Sequence, residues 1–325
     1  MSSAGHRVRG GECLPTPIVY SRHYAIDIGL HVFPTVKYQL IRDELDRPQR
    51  ELPAFEFVEP APAGWDELAL VHSEDYLQRL RTGSLTGEEV AQLELPWSPA
   101  MVDGFRLMAG GSILAARLAC RAPGDFMPAI HIGGGLHHAF PNHGEGFCPV
   151  NDVAVAVRVM QAQGVERHAI VDLDVHHGNG TAFIFADDDR IFTFSMHQQH
   201  NYPMWKPRGS LDIGLPDGAH DATYLRELER ALPLVVAHRP DCVYYLAGAD
   251  PYEDDQLGGL RLSKQGLRTR DRLVIETVRD AGLPLVITMA GGYARHVEDT
   301  VGIHMATIEE ALRAGPSRLH RSVSA

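Results

Sequence analysis

What constrains this chain most is a repeated ending: four of its short β-branched apolar runs stop at glycine clustered with histidine, aspartate or tyrosine. The runs are Pro17–Tyr20, Leu68–His72, Ala129–Ile132, Ala169–Asp174, Ile191–Met196, Cys242–Ala247 and Leu285–Ala290. Continuous apolar runs of this length suit strands buried on both faces, as in a parallel sheet. Helical patterns lie between them. Asn151–Gln163 carries Val153, Val157 and Met160 at helical spacing; Asp221–Ala237 and Ser263–Asp280 carry similar stripes, each opened by a residue that can cap. Such alternation, with no linker or internal repeat, predicts one doubly wound α/β domain. Its expected extent is 17–313, with a flexible lead over 1–16 and a small, polar, basic tail over 314–325 expected to be disordered.

Ile132 leads into Gly133-Gly134-Gly135-Leu136-His137-His138, and Val171 into Asp172-Leu173-Asp174-Val175-His176-His177-Gly178-Asn179-Gly180. Leu246 leads into Ala247-Gly248-Ala249-Asp250, and Ile287 towards Ala290-Gly291-Gly292-Tyr293. Open α/β sheets bind ligands beyond the carboxyl ends of their strands, so four such endings can converge on one site although they are far apart in sequence.

Asp174 and His176 are one residue apart, and alternate side chains of an extended segment share a face, so both can address one ion; Asp172 lies on that face too. Asp250, from another strand end, would complete a three-ligand set. Carboxylate and imidazole ligands without sulfur suit a catalytic zinc with an open position. A lone Asp-x-His is more often an ordinary loop pair; the convergence of four clusters is what changes the reading. In isolation the His137-His138 pair reads as a solvated loop. Beside a metal site, one imidazole can take the proton of water and the other can protonate a leaving amine. Asp172 and Asn179 can orient these rings, and Tyr293 can donate a hydrogen bond to a developing oxyanion.

Composition narrows the partners. A formal charge of −12 disfavours nucleic acid and is compatible with a cationic substrate. No apolar run is long enough to span a membrane. The four cysteines (Cys13, Cys120, Cys148 and Cys242) are far apart with no CxxC pair, which argues against a thiolate zinc site and for a reducing, cytoplasmic setting.

The strings GGGLHHAFPNHGEGFCPVND, VDLDVHHGNGTAFIF and LAGADPYEDDQLGG, with the later AGGY and the earlier HSEDYL at His72–Leu77, resemble the zinc-dependent histone deacetylase family from about Ile18 to Thr307. The YSRHY opening and DQLGGLRLS at Asp255–Ser263 are most similar to its class IV branch and bacterial relatives. The resemblance implies the arginase/deacetylase α/β fold, a single domain with a central, mainly parallel sheet of about eight strands flanked by helices. It also implies one Zn²⁺ held by Asp174, His176 and Asp250, with His137 and His138 as the tandem histidines and Tyr293 as the carbonyl-polarising tyrosine. Asp172 then stands behind His137. The second dyad carboxylate of the family is Asn179 here, so His138 is expected to be less basic than in members carrying Asp.

By the same resemblance, Phe147 and Tyr202 wall an acyl-lysine tunnel and Gly146 offers its carbonyl to the substrate amide. A structural K⁺ would use Asp172, Asp174, His176, Ser195 and Met196, while residues near Tyr24 and from His31 to Phe33 line the floor or rim. The expected activity is hydrolysis of an acetyl- or longer fatty-acyl-lysine in a protein or peptide. Three alternatives stay open: a deacetylase of small molecules such as acetylpolyamines, an arginase-like two-metal hydrolase, and a non-catalytic acyl-lysine binder.

Overall fold

The computed structural model describes residues 15–121 and 126–316. The expected lead and tail lie, apart from 15–16 and 314–316, outside the described residues; Thr16 opens a strand and Ala314 closes a helix. The described chain forms an eight-stranded, wholly parallel sheet. Its strands are β1 (Thr16–Val19), β2 (Phe55–Val58), β3 (Pro128–His131), β4 (His168–Asp172), β5 (Ile191–Gln198), β6 (Leu211–Leu215), β7 (Cys242–Leu246) and β8 (Leu285–Thr288). They lie side by side in the order β2-β1-β3-β8-β7-β4-β5-β6.

The central strands bury every residue, which is why they read as unbroken apolar runs. Helices flank the sheet. Pro99–Ala119 packs on β1, β3 and β8 and against Asp152–Ala162, while Val297–Ala314 packs on β3 and against Lys264–Asp280. Each fully buried Ile, Val or Leu at these contacts contributes about 1.5–3 kcal/mol relative to exposure.

Six of the seven expected strands are present with ends shifted by a few residues. The exception is Leu68–His72, which is no strand. It forms the end of the short helix Trp65–Leu68 and the turn after it, and Ala69 and Leu70 are exposed. Glu67 reaches back to the Gly64 N–H at 2.8 Å and starts that helix, so local capping overrides the apolar pattern. Two strands escape the pattern, β2 and β6. Both lie at sheet edges and are only partly buried, so neither has a continuous apolar signature.

The three expected helices are Asp152–Ala162, Asp221–Ala237 and Lys264–Asp280. Asn151 and Ser263 cap theirs, accepting at 2.9 Å from Ala154 N and Gly266 N. Asp221 does not cap its own helix. Its carboxylate accepts from Ser263 N at 2.9 Å and Ser263 Oγ at 2.7 Å, joining the starts of two helices.

Strand order settles the position of the site. The four polar endings follow β3, β8, β7 and β4, the four contiguous strands at the middle of the sheet. The clusters are therefore neighbours along one carboxyl edge. No helix among the described residues is long and apolar enough to cross a membrane.

Candidate active site

The segment after β4 does not stay extended; Asp174, Val175 and His176 form a bend. Their side chains converge all the same, because the Asp174 carboxylate holds the bend by accepting His176 N–H at 2.9 Å. His176 Nδ1 lies 3.0 Å from Asp174 Oδ1 and 3.4 Å from Asp250 Oδ2. Among the described residues, Asp174, His176 and Asp250 are the one group of His, Cys, Asp or Glu whose potential ligand atoms gather this way, all within 4.8 Å. That is a single three-ligand set, with no second set for a two-metal site among those residues.

These side chains fit a cation. Backbone N–H groups fix each carboxylate: Gly291 N donates to Asp174 Oδ2 at 2.8 Å, and Val175 N to Asp250 Oδ1 at 2.9 Å. The remaining Asp250 oxygen is fully buried without a hydrogen-bond donor. Burial and the adjacent Asp174 carboxylate push Asp250 up to about 7, an arrangement that a bound positive charge would relieve. Ligand atoms about 2.1 Å from a tetrahedral centre are roughly 3.4 Å apart, close to the spacing here. Gly291 must be glycine: a Cβ there would collide with the facing oxygens of both Asp250 and Asp174.

The two imidazoles arrive from the loop after β3, whose turn is anchored by Asp152 accepting Leu136 N at 2.7 Å and Gly135 N at 3.1 Å. His137 Nδ1 donates to Asp172 Oδ2 at 2.7 Å, and its Nε2 lies 3.8 Å from Asp174. Burial disfavours its charge, but the Asp172 and Asp174 carboxylates outweigh that and raise it to about 9. His138 Nδ1 donates instead to Asn179 Oδ1 at 2.7 Å. Burial, with His137 and His176 nearby, holds His138 well below the usual histidine range.

Tyr293 is 9% exposed, and its backbone N–H donates to Asp255 Oδ2 at 2.7 Å. Burial, with Asp174 and Asp250 close by, raises its phenol well above the ordinary range, so it stays a proton donor.

Tyr293, His138 and His176 line an open cavity of about 220 Å³ together with Gly146, Phe147 and Tyr202. The Tyr202 ring stands edge-on to His138 at 5.1 Å; Phe147 is edge-on to Tyr293 at 6.0 Å and stacked on Phe33 at 6.1 Å. Phe147 has φ +65°, uncommon for a bulky residue, and its N–H is held by the Leu93 carbonyl at 3.0 Å. The Gly146 carbonyl accepts Cys148 Sγ–H at 3.3 Å and has a second lone pair. Adjoining it, and sharing His138, Gly146, Phe147 and Tyr293, is a smaller space of about 30 Å³, lined in part by Phe33, Leu136, Ala290 and Gly291.

Ser195 is paired with Asp172 across β4 and β5, and Met196 follows it in β5; the Ser195 hydroxyl lies 3.1 Å from His197 Nδ1. Phe33 lines the smaller space and His31 packs edge-on to Phe147 at 4.8 Å. Tyr24 is buried underneath instead, its hydroxyl 2.8 Å from His131 Nε2.

Sequence reasoning missed several participants. Glu94, Asn201 and Leu257 line the main cavity, and Glu94 also adopts a positive φ of 58°. Glu145 reaches Asn179 at 2.7 Å. Lys37 lies buried beneath the site, its Nζ donating to Ala290 O at 2.7 Å; burial pushes it down to about 8 against the pull of Asp250 and Asp174. Glu145 and Leu257 lie in strings already singled out, but the spacing within those strings does not mark them as site residues, and Glu94, Asn201 and Lys37 lie in no such string. For Glu145 the available signal was a charged residue directly before the glycine-aromatic pair Gly146-Phe147.

A buried Asp-His-Asp group that could hold a metal, a pair of oppositely tuned imidazoles and a phenol thus lie around one cavity. Comparison with known proteins gives the family. Residues 31–308 match the histone deacetylase domain. The chain is 41% identical over 292 residues to an uncharacterized protein of Picosynechococcus sp., covering 89% of this chain and 95% of that one. It is 32% identical to the histone deacetylase-like amidohydrolase of Pseudomonas aeruginosa, covering 77% and 68%. The crystal structure of a histone deacetylase homolog complexed with SAHA superposes with a TM-score of 0.75 at 26% identity, covering 91% and 84%. The chain belongs to the histone deacetylase family and is an amidohydrolase.

Proposed function

We propose that this protein removes a short acyl group, acetyl foremost, from an acylated lysine side chain or a similar primary amine. The observation that carries this reading is the cavity itself. A channel of about 220 Å³ lined by His138, His176 and Tyr293 adjoins a smaller space of about 30 Å³ that shares His138 and Tyr293 with it. An acetyl methyl fits such a space. Zn²⁺ held by Asp174, His176 and Asp250 would act as a Lewis acid on the scissile carbonyl and on water. A structural K⁺ would draw on Asp172, Asp174, His176, Ser195 and Met196, a placement favoured by the pairing of Asp172 with Ser195.

The residues divide the proton work by their surroundings. His138 is neutral with Nδ1 engaged, so its Nε2 lone pair is free to take a proton from the attacking water. His137, charged against Asp172, supports the negative charge that develops beside it. The Tyr293 phenol donates to the carbonyl oxygen as it becomes an oxyanion. Protonated His138 then returns its proton to the leaving amine. Phe147 and Tyr202 exclude water from an aliphatic stem, and Gly146 orients the amide N–H with its free lone pair.

One observation favours a small cationic substrate as the alternative. Glu94 lines the cavity, where its carboxylate would meet a second ammonium of an acetylated polyamine. The deciding experiment is turnover of one lysine peptide carrying acetyl, octanoyl or myristoyl, beside an acetylated polyamine, before and after chelation. Acetyl-peptide cleavage that chelation stops and Zn²⁺ restores is expected. Preference for myristoyl would overturn the acyl-length reading, and activity that survives verified metal removal would overturn the metal assignment.

A further inference from the structure

Behind His138 stands a neutral amide, and behind that amide stands a carboxylate. Asn179 accepts from His138 Nδ1 through Oδ1 at 2.7 Å and donates from Nδ2 to Glu145 Oε1 at 2.7 Å. Glu145 is itself anchored: Tyr202 Oη donates to Oε1 at 3.0 Å, Gln92 Nε2 donates to Oε2 at 3.0 Å, and His143 Nε2 lies 3.4 Å from Oε2. Its side chain is 13% exposed. Burial opposes its ionisation, but the hydrogen bonds from His143, Asn179, Gln92 and Tyr202 hold its carboxyl below the usual range.

An ionised carboxylate only accepts. It therefore determines which end of the Asn179 amide faces it: the NH₂ must point to Glu145 and the carbonyl must point to His138. A carbonyl facing His138 Nδ1 in turn requires the proton to be on Nδ1, leaving Nε2 as the base. Without that acceptor, Asn179 can turn over and donate to Nδ1, which moves the imidazole proton to Nε2 and removes the lone pair that the reaction needs.

We infer that Glu145 is a positioning residue for this hydrolase, setting the amide orientation of Asn179 and through it the tautomer of His138. This rests on the reading of His138 as general base. Glu145 thereby restores, one residue further out, the carboxylate that His137 has directly in Asp172. It also ties the base to the channel wall, because Tyr202 donates to the same Glu145 oxygen.

The test compares Glu145→Ala, Glu145→Gln and the double variant Glu145→Ala with Asn179→Asp. Glu145→Ala lowers kcat by about 10–100-fold with KM little changed, the range for losing an orienting partner. Glu145→Gln keeps an acceptor oxygen in place and loses less. Aspartate at 179 cannot present a donor in either orientation, so the double variant recovers most of the lost kcat. A merely structural Glu145 would not be rescued this way. Nitrogen-15 NMR of the imidazoles reads the tautomer without substrate or turnover: His138 is Nδ1-protonated in the wild type and shifts towards Nε2 in Glu145→Ala. Tyr202→Phe removes the other bond to the same oxygen and leaves the tautomer unchanged. An unchanged His138 tautomer in folded Glu145→Ala, or no recovery in the double variant, overturns the assignment. The NMR result stands even if the proposed substrates are not cleaved.

Discussion

His137 and His138 are consecutive residues whose rings lie 4.0 Å apart, and each hands its Nδ1 to a different kind of partner. Asp172, a buried carboxylate at the end of β4, holds His137 at 2.7 Å and favours its charged form. Asn179, the first residue of the helix Asn179–Ile184, holds His138 at the same 2.7 Å without a charge of its own, and burial then favours the neutral form. Two chemically identical side chains in one cavity are thus pushed in opposite directions, one towards its charged form and one towards its neutral form, by what stands behind them. Pairs of titratable groups pushed apart in this way are what acid–base catalysis at neutral pH needs.

The sharpest way to break this comparison is to remove each ring in turn. His138→Ala is expected to lose about 10³–10⁴-fold in kcat, and His137→Ala clearly less, because only the former removes the base. Equal losses in single-turnover assays would mean that the rings share one role. Tyr293→Phe tests whether the pair suffices without the phenol. Loss of one oxyanion donor predicts a fall of about 10²–10³-fold with metal content unchanged, and wild-type turnover would remove its role.

Asp172→Asn makes the two partners alike. A loss of about 10–100-fold is expected, with the metal retained as read by elemental analysis. Asn179→Asp alone makes them alike in the other direction, but it sets a second carboxylate against Glu145 where a 2.7 Å hydrogen bond stood. One of the two must stay protonated, so the fall should be within about tenfold; a loss approaching that of His138→Ala would show that Asn179 does more than orient the ring.

A third buried histidine supplies the contrast without catalysis. His72 Nδ1 donates to Phe140 O at 2.9 Å and its Nε2 accepts from Asn151 N at 3.0 Å, while burial pushes it down to about 4. Because its folded pKa is depressed, its stabilising contribution is complete above the unfolded value and is lost as pH falls from about 6.5 towards 4. Urea unfolding of wild type and His72→Gln at pH 7 and pH 5 should differ in pH dependence by about 2 kcal/mol. Parallel curves would mean that His72 is not buried neutral.

Much of this was legible in the chain. Asp174, His176, Asp250, His137, His138 and Tyr293 stand out because they follow apolar runs punctuated by glycines that let the chain turn sharply, and the structure brings them to one edge of the sheet. Asp172 and Asn179 could be paired with the histidines because they share a motif with the ligands. Glu145 and Lys37 could not, since each acts on a residue remote in sequence; Glu145 lies in a recognisable string, but nothing in it points to Asn179. Leu68–His72 misled for the opposite reason: its apolar run is real, but a capped helix upstream decides its conformation.

Periodicity and clustering alone determined that this is a parallel α/β protein with carboxylate, imidazole and phenol side chains gathered at the ends of its strands, because burial on both faces and sharp polar turns leave marks in the order of residues. Only the tertiary structure decided that β3, β8, β7 and β4 are adjacent, which brings the endings together at one edge. It also decided that a smaller space of about 30 Å³ adjoins the main cavity and that Asn179 is backed by Glu145. Strand order, cavity volume and amide orientation all arise from packing between segments distant in the chain, and nothing local records them.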